Sequence, residues 1–329
     1  MKRFALACAV VTLLFAGGRH LTGQGGGNPF VDHSDTGETV HVLPTPASIR
    51  SPRDTQPTDA PASDKYAVYG ASYGSGNLTD HGGPEMAVVD FFAVYYNATV
   101  AGSTGSQGNS TLRQQVTKFI NAFSDSQSYN SADQNANFSI VQQYGTAASN
   151  ALLVLAGDYV DPAPPAGNTL SDSKVQSYLA GLFNAGKIAA NDYTIYGIYF
   201  PSGMRITLQG GASCSSFCGY HGHFSYQGNQ IKYAVFPYTD CRACSMPGKQ
   251  VADILTIVSS HEIREATTDP FLNAWYDSSG YEADDKCAWH NLYQTYTGGF
   301  WVQPEYSNGI ASGFPGPGCV VPLTNGVPK

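Results

Sequence analysis

The stretch Gln250–Phe271, QVADILTIVSSHEIREATTDPF, decides how the rest of the chain reads. Helical counting at about 100° per residue from Val251 gathers Val251, Ile254, Leu255 and Val258 into one apolar stripe of the kind that faces a core. His261, Glu262 and Glu265 then fall at about 280°, 20° and 320°, inside the same stripe, while Asp253 and Arg264 lie opposite. Within one turn the stripe changes from Val and Leu to His and Glu. Buried carboxylates need a hydrogen bond, an ion partner or a metal, because leaving them bare costs several kcal/mol. His261 and Glu265, at i and i+4, point the same way and can hold one cation, and Glu262 beside them can poise a water as general base. This is the logic of the H-E-x-x-H zinc helix with its second His replaced by Glu. The plainer reading is an i,i+4 hydrogen-bonded pair at a helix end, with Glu262 salt-bridged to Arg264 or another base.

A metal needs further ligands. Glu282 and Asp285, in Tyr281-Glu282-Ala283-Asp284-Asp285-Lys286-Cys287, follow the helix at the distance from which gluzincin-type zincins bring a third carboxylate. Glu282 is the first candidate and Asp285 the second. Upstream, Gly219-Tyr220-His221-Gly222-His223 offers imidazoles, with His221 a candidate fourth ligand or substrate contact. The plainer readings make Asp285 a turn residue and His221 a core histidine. Zinc is the first expectation, and the two carboxylates admit manganese or calcium.

Strands and helices alternate upstream of this segment. Met86–Tyr96 (MAVVDFFAVYY) is rich in β-branched and aromatic residues and predicts a buried strand. Leu112, Val116, Phe119, Ile120 and Phe123 predict a helix capped by Ser110 or Thr111. A strand pair is expected at Phe138–Tyr144 and Ala151–Gly157. A helix then runs through Val175, Tyr178, Leu179, Leu182 and Phe183, capped at Ser171-Asp172-Ser173 and stopped by Gly186. Tyr193–Phe200, Met204–Leu208 and Ile231–Pro237 complete the strands. The fold class expected is mixed α/β (α+β), with a zincin-like metal-binding helix against a mixed sheet and a disulfide-stapled C-terminal half. Residues 65–329 form the single catalytic or binding domain of this reading.

Met1-Lys2-Arg3, the apolar run Phe4–Ala16 and Gly17-Gly18 have the form of a secretory signal within residues 1–24. The apolar run, roughly 13 residues, is short of the ~20 that span a bilayer. Residues 25–64, with Gly25-Gly26-Gly27 and Pro44, Pro46, Pro52, Pro57 and Pro61, read as a linker or pro-segment. Charged residues are only 13% of the 329 and the net charge is −8. No basic face is visible to neutralise phosphates, so nucleic acid is excluded as a partner. No later segment suits a membrane span, so no membrane partner is expected once the signal is cleaved. A P-loop and a G-x-S-x-G elbow are also missing.

Of seven cysteines, Cys8 lies in the leader and Cys214, Cys218, Cys241, Cys244, Cys287 and Cys319 remain. An even count in an exported chain favours disulfides, with the connectivity open. The competing use of Cys214-x3-Cys218 and Cys241-x2-Cys244 is a structural zinc site.

His261-Glu262-Ile263-Arg264-Glu265-Ala266-Thr267-Thr268-Asp269-Pro270, Asn273-Ala274-Trp275-Tyr276 and Glu282-x-x-Asp285-x-Cys287 together resemble the signature of the Exordium (phosphate-induced protein) family. Further matches are His81-Gly82-Gly83-Pro84, Cys214-x3-Cys218-Gly219-Tyr220-His221, and Cys241/Cys244 followed by Pro247, so the likeness runs from residue 80 to about 290. The resemblance implies a secreted protein of the cell wall or extracellular space, linked in plants to growth and cell expansion. It supplies no biochemical activity. Cys241 and Cys244 are separated by two residues where plant members have three between them, and a Gly-rich stretch of the plant proteins is here Trp289-His290-Asn291-Leu292-Tyr293.

The leading expectation is an exported, zincin-like metal-dependent hydrolase of peptide bonds. In it His261, Glu265 and Glu282 hold the ion, Glu262 is catalytic, and Asp285 or His221 supports the shell. The alternative is a non-catalytic extracellular, cell-wall or periplasmic protein that binds polysaccharide or a surface polypeptide, its His/Glu cluster being structural.

Overall fold

The computed structural model describes residues 27–49, 66–124, 137–309 and 313–323; the expected signal peptide lies outside them. Its centre is one mixed sheet of seven strands: β1 (Val31–His33), β2 (Thr39–Pro44), β3 (Val88–Tyr95), β4 (Leu152–Val160), β5 (Thr194–Tyr199), β6 (Phe217–Tyr226) and β7 (Asn229–Phe236). They lie in the order β1-β2-β6-β7-β5-β3-β4. β7, β5, β3 and β4 are parallel, whereas β7, β6, β2 and β1 pair antiparallel.

Three longer helices cover the two faces: α1 (Leu112–Phe123), α2 (Asp172–Asn184) and α3 (Val251–Thr268). Strand alternation sorts the side chains. Phe91, Ala93 and Tyr95 of β3 join the core beneath α1 and α3, while Val94 faces Val175, Leu179 and Leu182 of α2 on the other side. The result is a three-layer, mixed α+β architecture. Helix α1 starts where expected, with Thr111 Oγ1 accepting from Gln114 N at 3.3 Å and Gln114 Oε1 accepting from Thr111 N at 3.0 Å. Gly186 adopts φ +62° just past α2, a conformation that stops a helix at little cost only for glycine.

Three expectations are corrected. Residues 27–49 are not a linker: β1 and β2 are strands of the main sheet, and Phe30, Val40, Val42 and Leu43 are buried in its two cores. Proline-rich composition hid this, since the prolines of residues 44–61 begin where β2 ends; residues 50–65 lie outside the described chain. Residues Ser139–Gln143 form a 3₁₀ turn and not a strand. There Phe138 and Val141 enter the main core while Ile140 joins Tyr66 and Val320, and so short an apolar run cannot distinguish the two conformations by period. The zinc reading of the cysteines also falls, because thiolates are needed to ligate and all six sulfurs are consumed in disulfides.

The bridges are Cys214–Cys241, Cys218–Cys244 and Cys287–Cys319. The first two fasten the entry of β6 to the loop that leads into α3. The third fastens the Glu282–Cys287 loop to the strand Gly318–Pro322, the middle of a small sheet with Glu305–Ser307 and Tyr66–Tyr69. Among the described residues no helix is long and apolar enough to cross a membrane.

Candidate metal centre

Helix α3 packs on β6 and β7 with one side and against Trp301–Val302 and α1 with others, so every residue from Ala252 to Thr268 is buried. Its approach to β6 is close. A Cβ on Gly219 would lie 2.3 Å from Val258 Cγ1 and 3.1 Å from Glu262 Oε1, so only glycine lets this helix sit so near the strand. His221, two residues on, points to the same face, as does its direct cross-strand partner His41 of β2. Both imidazoles therefore meet the acidic end of the α3 stripe.

The Glu282–Cys287 loop closes the cluster from the other side. Asp285 N donates to Glu265 Oε1 at 2.9 Å, and Glu282 N donates to Asp285 Oδ2 at 2.9 Å. The six residues singled out from sequence thus converge: His221, His261, Glu262, Glu265, Glu282 and Asp285. His261 Nε2 lies 3.0 Å from Glu265 Oε2 and 3.7 Å from Asp285 Oδ1. His221 Nδ1 lies 3.1 Å from Glu262 Oε2, and its Nε2 is 3.8 Å from Glu282 Oε2. His41 Nδ1 lies 3.1 Å from Glu282 Oε1. His41 escaped the sequence reading because it sits in a stretch dismissed as linker, yet the signal is there: in Val40-His41-Val42-Leu43 an imidazole takes the place of a core-facing apolar residue.

Most of these contacts are not hydrogen bonds. His41 Nδ1, His221 Nε2, His261 Nε2, Glu262 Oε1, Glu265 Oε2, both Glu282 carboxylate oxygens and Asp285 Oδ1 are all buried without a hydrogen-bond partner. Natural interiors leave few such atoms, and a concentration of them in one place asks for an occupant. His261 Nε2 and Glu265 Oε2, 3.0 Å apart, do not have hydrogen-bond geometry. Glu262 does not pair with Arg264 either. Its partner is His221, whose ring nitrogen at 3.1 Å is the one hydrogen-bonding contact of its carboxylate among the described residues.

Burial drives every ionisable group here toward its neutral form. Desolvation, followed by repulsion from Glu265, pushes the Glu262 carboxyl well up. Desolvation likewise raises Glu265, Glu282 and Asp285, with the neighbouring acids adding to it. His41 is lowered to about 3 and His261 to about 4, again chiefly by desolvation. A divalent cation inverts this logic by stabilising carboxylates and neutral imidazoles together.

Around the cluster stands a second set of buried charges built on Arg264, in which Asp284 is paired while Glu305, 3.6 Å from the guanidinium, keeps both carboxylate oxygens without a hydrogen-bond partner. Arg264, placed by helical counting on the far side of α3, is buried too: its guanidinium donates to both carboxylate oxygens of Asp284, to Asn137 O at 3.0 Å and to Gln303 O at 2.9 Å. Gln303 Nε2 donates to Asp284 O at 2.8 Å and lies 3.0 Å from His261 Nδ1. These supporting residues gave no local sequence signal. No family model matches the chain, and no curated protein is significantly similar to it.

Proposed function

We propose that the chain is an exported, zincin-like metal-dependent hydrolase, acting on peptide bonds of an extracellular polypeptide. The observation that supports it is the convergence of unpartnered, buried imidazole nitrogens and carboxylate oxygens around α3. His261 and Glu265 bind the ion from one helix turn, Glu282 and Asp285 from the loop, and His221 from the sheet. Zinc is the first choice, with manganese or calcium admitted by the carboxylate share. When bound, a divalent ion supplies a Lewis acid and lowers the pKa of its water. Glu262 keeps Oε1 free beside these ligands while Oε2 is held by His221, which suits it to take the proton of an attacking water. Three disulfides suit an oxidising compartment, and with the resemblance to the Exordium family they favour the cell wall, extracellular space or periplasm.

Casein hydrolysis tests the reading. Wild-type activity should vanish with chelator and return with zinc, and Glu262→Gln should lower the rate by about 10²–10⁴-fold with its bound metal unchanged. Undiminished turnover by Glu262→Gln would remove that residue from the reaction.

One observation favours a second reading. His221, His261, Glu262, Glu265, Glu282 and Asp285 each have 0% exposure, which suits an ion that holds the fold together in a protein that binds polysaccharide or a surface partner. On that reading His261→Ala lowers the melting temperature sharply and casein is untouched by the wild type.

A further inference from the structure

We infer that the centre is binuclear: it holds two divalent cations, with Glu265 as the shared ligand and His41 as a ligand of the second. The inference rests on the proposal that the cluster binds metal, and goes beyond it in number, ligands and the role of residues 27–49.

The first argument is the count of donors. Eight buried atoms on seven side chains have no hydrogen-bond partner. A tetrahedral zinc takes four ligands, and a single ion of higher coordination still needs its donors arranged around one point. Here the donors fall into three groups, each spanning no more than 4.8 Å: His261 with Glu265 and Asp285, His41 with Glu265 and Glu282, and His221 with Glu262 and Glu265. Glu265 belongs to all three.

The hydrogen bonds then decide how three groups serve two ions. His221 Nδ1 is engaged by Glu262 Oε2, an arrangement in which a carboxylate fixes the tautomer of a metal-binding histidine. That leaves His221 Nε2 as its free donor, 3.8 Å from Glu282 Oε2 and therefore on the His41 side. One ion thus takes His261, Glu265 and Asp285; the other takes His41, His221 and Glu282, and shares Glu265. The separations of 3.0 and 3.1 Å between free donor atoms match the roughly 3.0–3.5 Å edges of a coordination shell with ~2.1 Å bonds, and those of 3.7 and 3.8 Å exceed them by a few tenths of an ångström.

Charge gives the same number. Glu262, Glu265, Glu282 and Asp285 carry four formal negative charges, and among the described residues their ion-pair contacts are only with histidines. The nearby cations are already matched, Arg264 by Asp284 and Lys286 by Asp277. Against these four charges one divalent ion falls two short and two ions balance them, Glu305 standing apart beside Arg264 at 3.6 Å.

The test is metal stoichiometry on the full exported chain. Chelated protein is titrated with zinc, and separately with manganese, by calorimetry and elemental mass spectrometry. Two equivalents are expected in the wild type, one in His41→Ala and none in Glu265→Gln. Manganese-loaded wild type should show the exchange-coupled electron paramagnetic resonance signal of a metal pair, a readout that needs no variant and so survives if His41→Ala fails to fold. A single equivalent with an uncoupled manganese spectrum would overturn the binuclear centre and leave the mononuclear metal reading standing. No bound metal would overturn both.

Discussion

Helix α3 carries two buried charge networks that differ in one respect. Toward the Asn137 and Gln303 backbone, Arg264 meets Asp284 and two carbonyl oxygens, so the protein supplies its own counter-ion. Toward the sheet, four carboxylates meet three imidazoles and leave eight atoms unpartnered. Both are fully desolvated, but the first holds a permanent cation and leaves only Glu305 among its carboxylates without a hydrogen bond, whereas the second holds no permanent cation among the described residues. Burial of charge alone therefore says little about function; incompleteness of the buried network is what marks a binding site.

Substitutions should break that comparison unequally. Arg264→Met strips Asp284 of its partner and should destabilise by about 3–5 kcal/mol, read as a fall in melting temperature that added metal does not repair. Equal loss and full rescue by zinc would mean that the two networks are one. Replacing Cys287 and Cys319 together by serine frees the loop that serves both networks. The bridge closes a sequence separation of 32 residues and its loss should cost about 3–4 kcal/mol in denaturant unfolding, along with weaker metal binding.

On the open network the sign reverses. In chelated protein Glu282→Gln removes an acid with no counter-ion and should raise stability by about 1–3 kcal/mol, whereas in zinc-loaded protein it should lower it. A loss in both states would show that Glu282 is structurally satisfied without an ion. The smallest effect concerns Asp269 at the end of α3, raised to about 6 mainly by desolvation against two backbone donors, Asn273 N and Ala274 N. Its folded pKa exceeds the unfolded value, so its contribution is complete below about pH 4 and is lost as pH rises toward 6, at about 1 kcal/mol per pH unit. Asp269→Asn should remove that slope from the melting temperature of chelated protein between pH 4 and 6. An unchanged slope would assign it wholly to the metal-site acids.

The chemistry was legible where it lay on a regular element. The 3.6-residue period alone places His261, Glu262 and Glu265 on one stripe, and Glu282, Asp285 and His221 are recognisable as donors by type. The period also misled: it sent Arg264 to an outer face, but α3 is enclosed on all sides and has none. Strand β6 went unassigned because Gly219, Gly222 and Cys218 obscure its alternation, and those glycines serve close packing of α3 and β2.

By itself the sequence determined the elements whose cause is local: the capped helix α1, the strands β3, β5 and β7, the glycine-stopped helix α2, and which side chains of α3 share a stripe. Tertiary structure alone decided that β2 enters the sheet beside β6, bringing His41 opposite His221 across a distance of 180 residues in the chain. It also decided which cysteines pair and which acid Arg264 neutralises. The reason is physical. Periodicity and capping are set by neighbours within a few residues, whereas counter-charge and coordination depend on distances of 3–4 Å between segments that only the folded chain brings together.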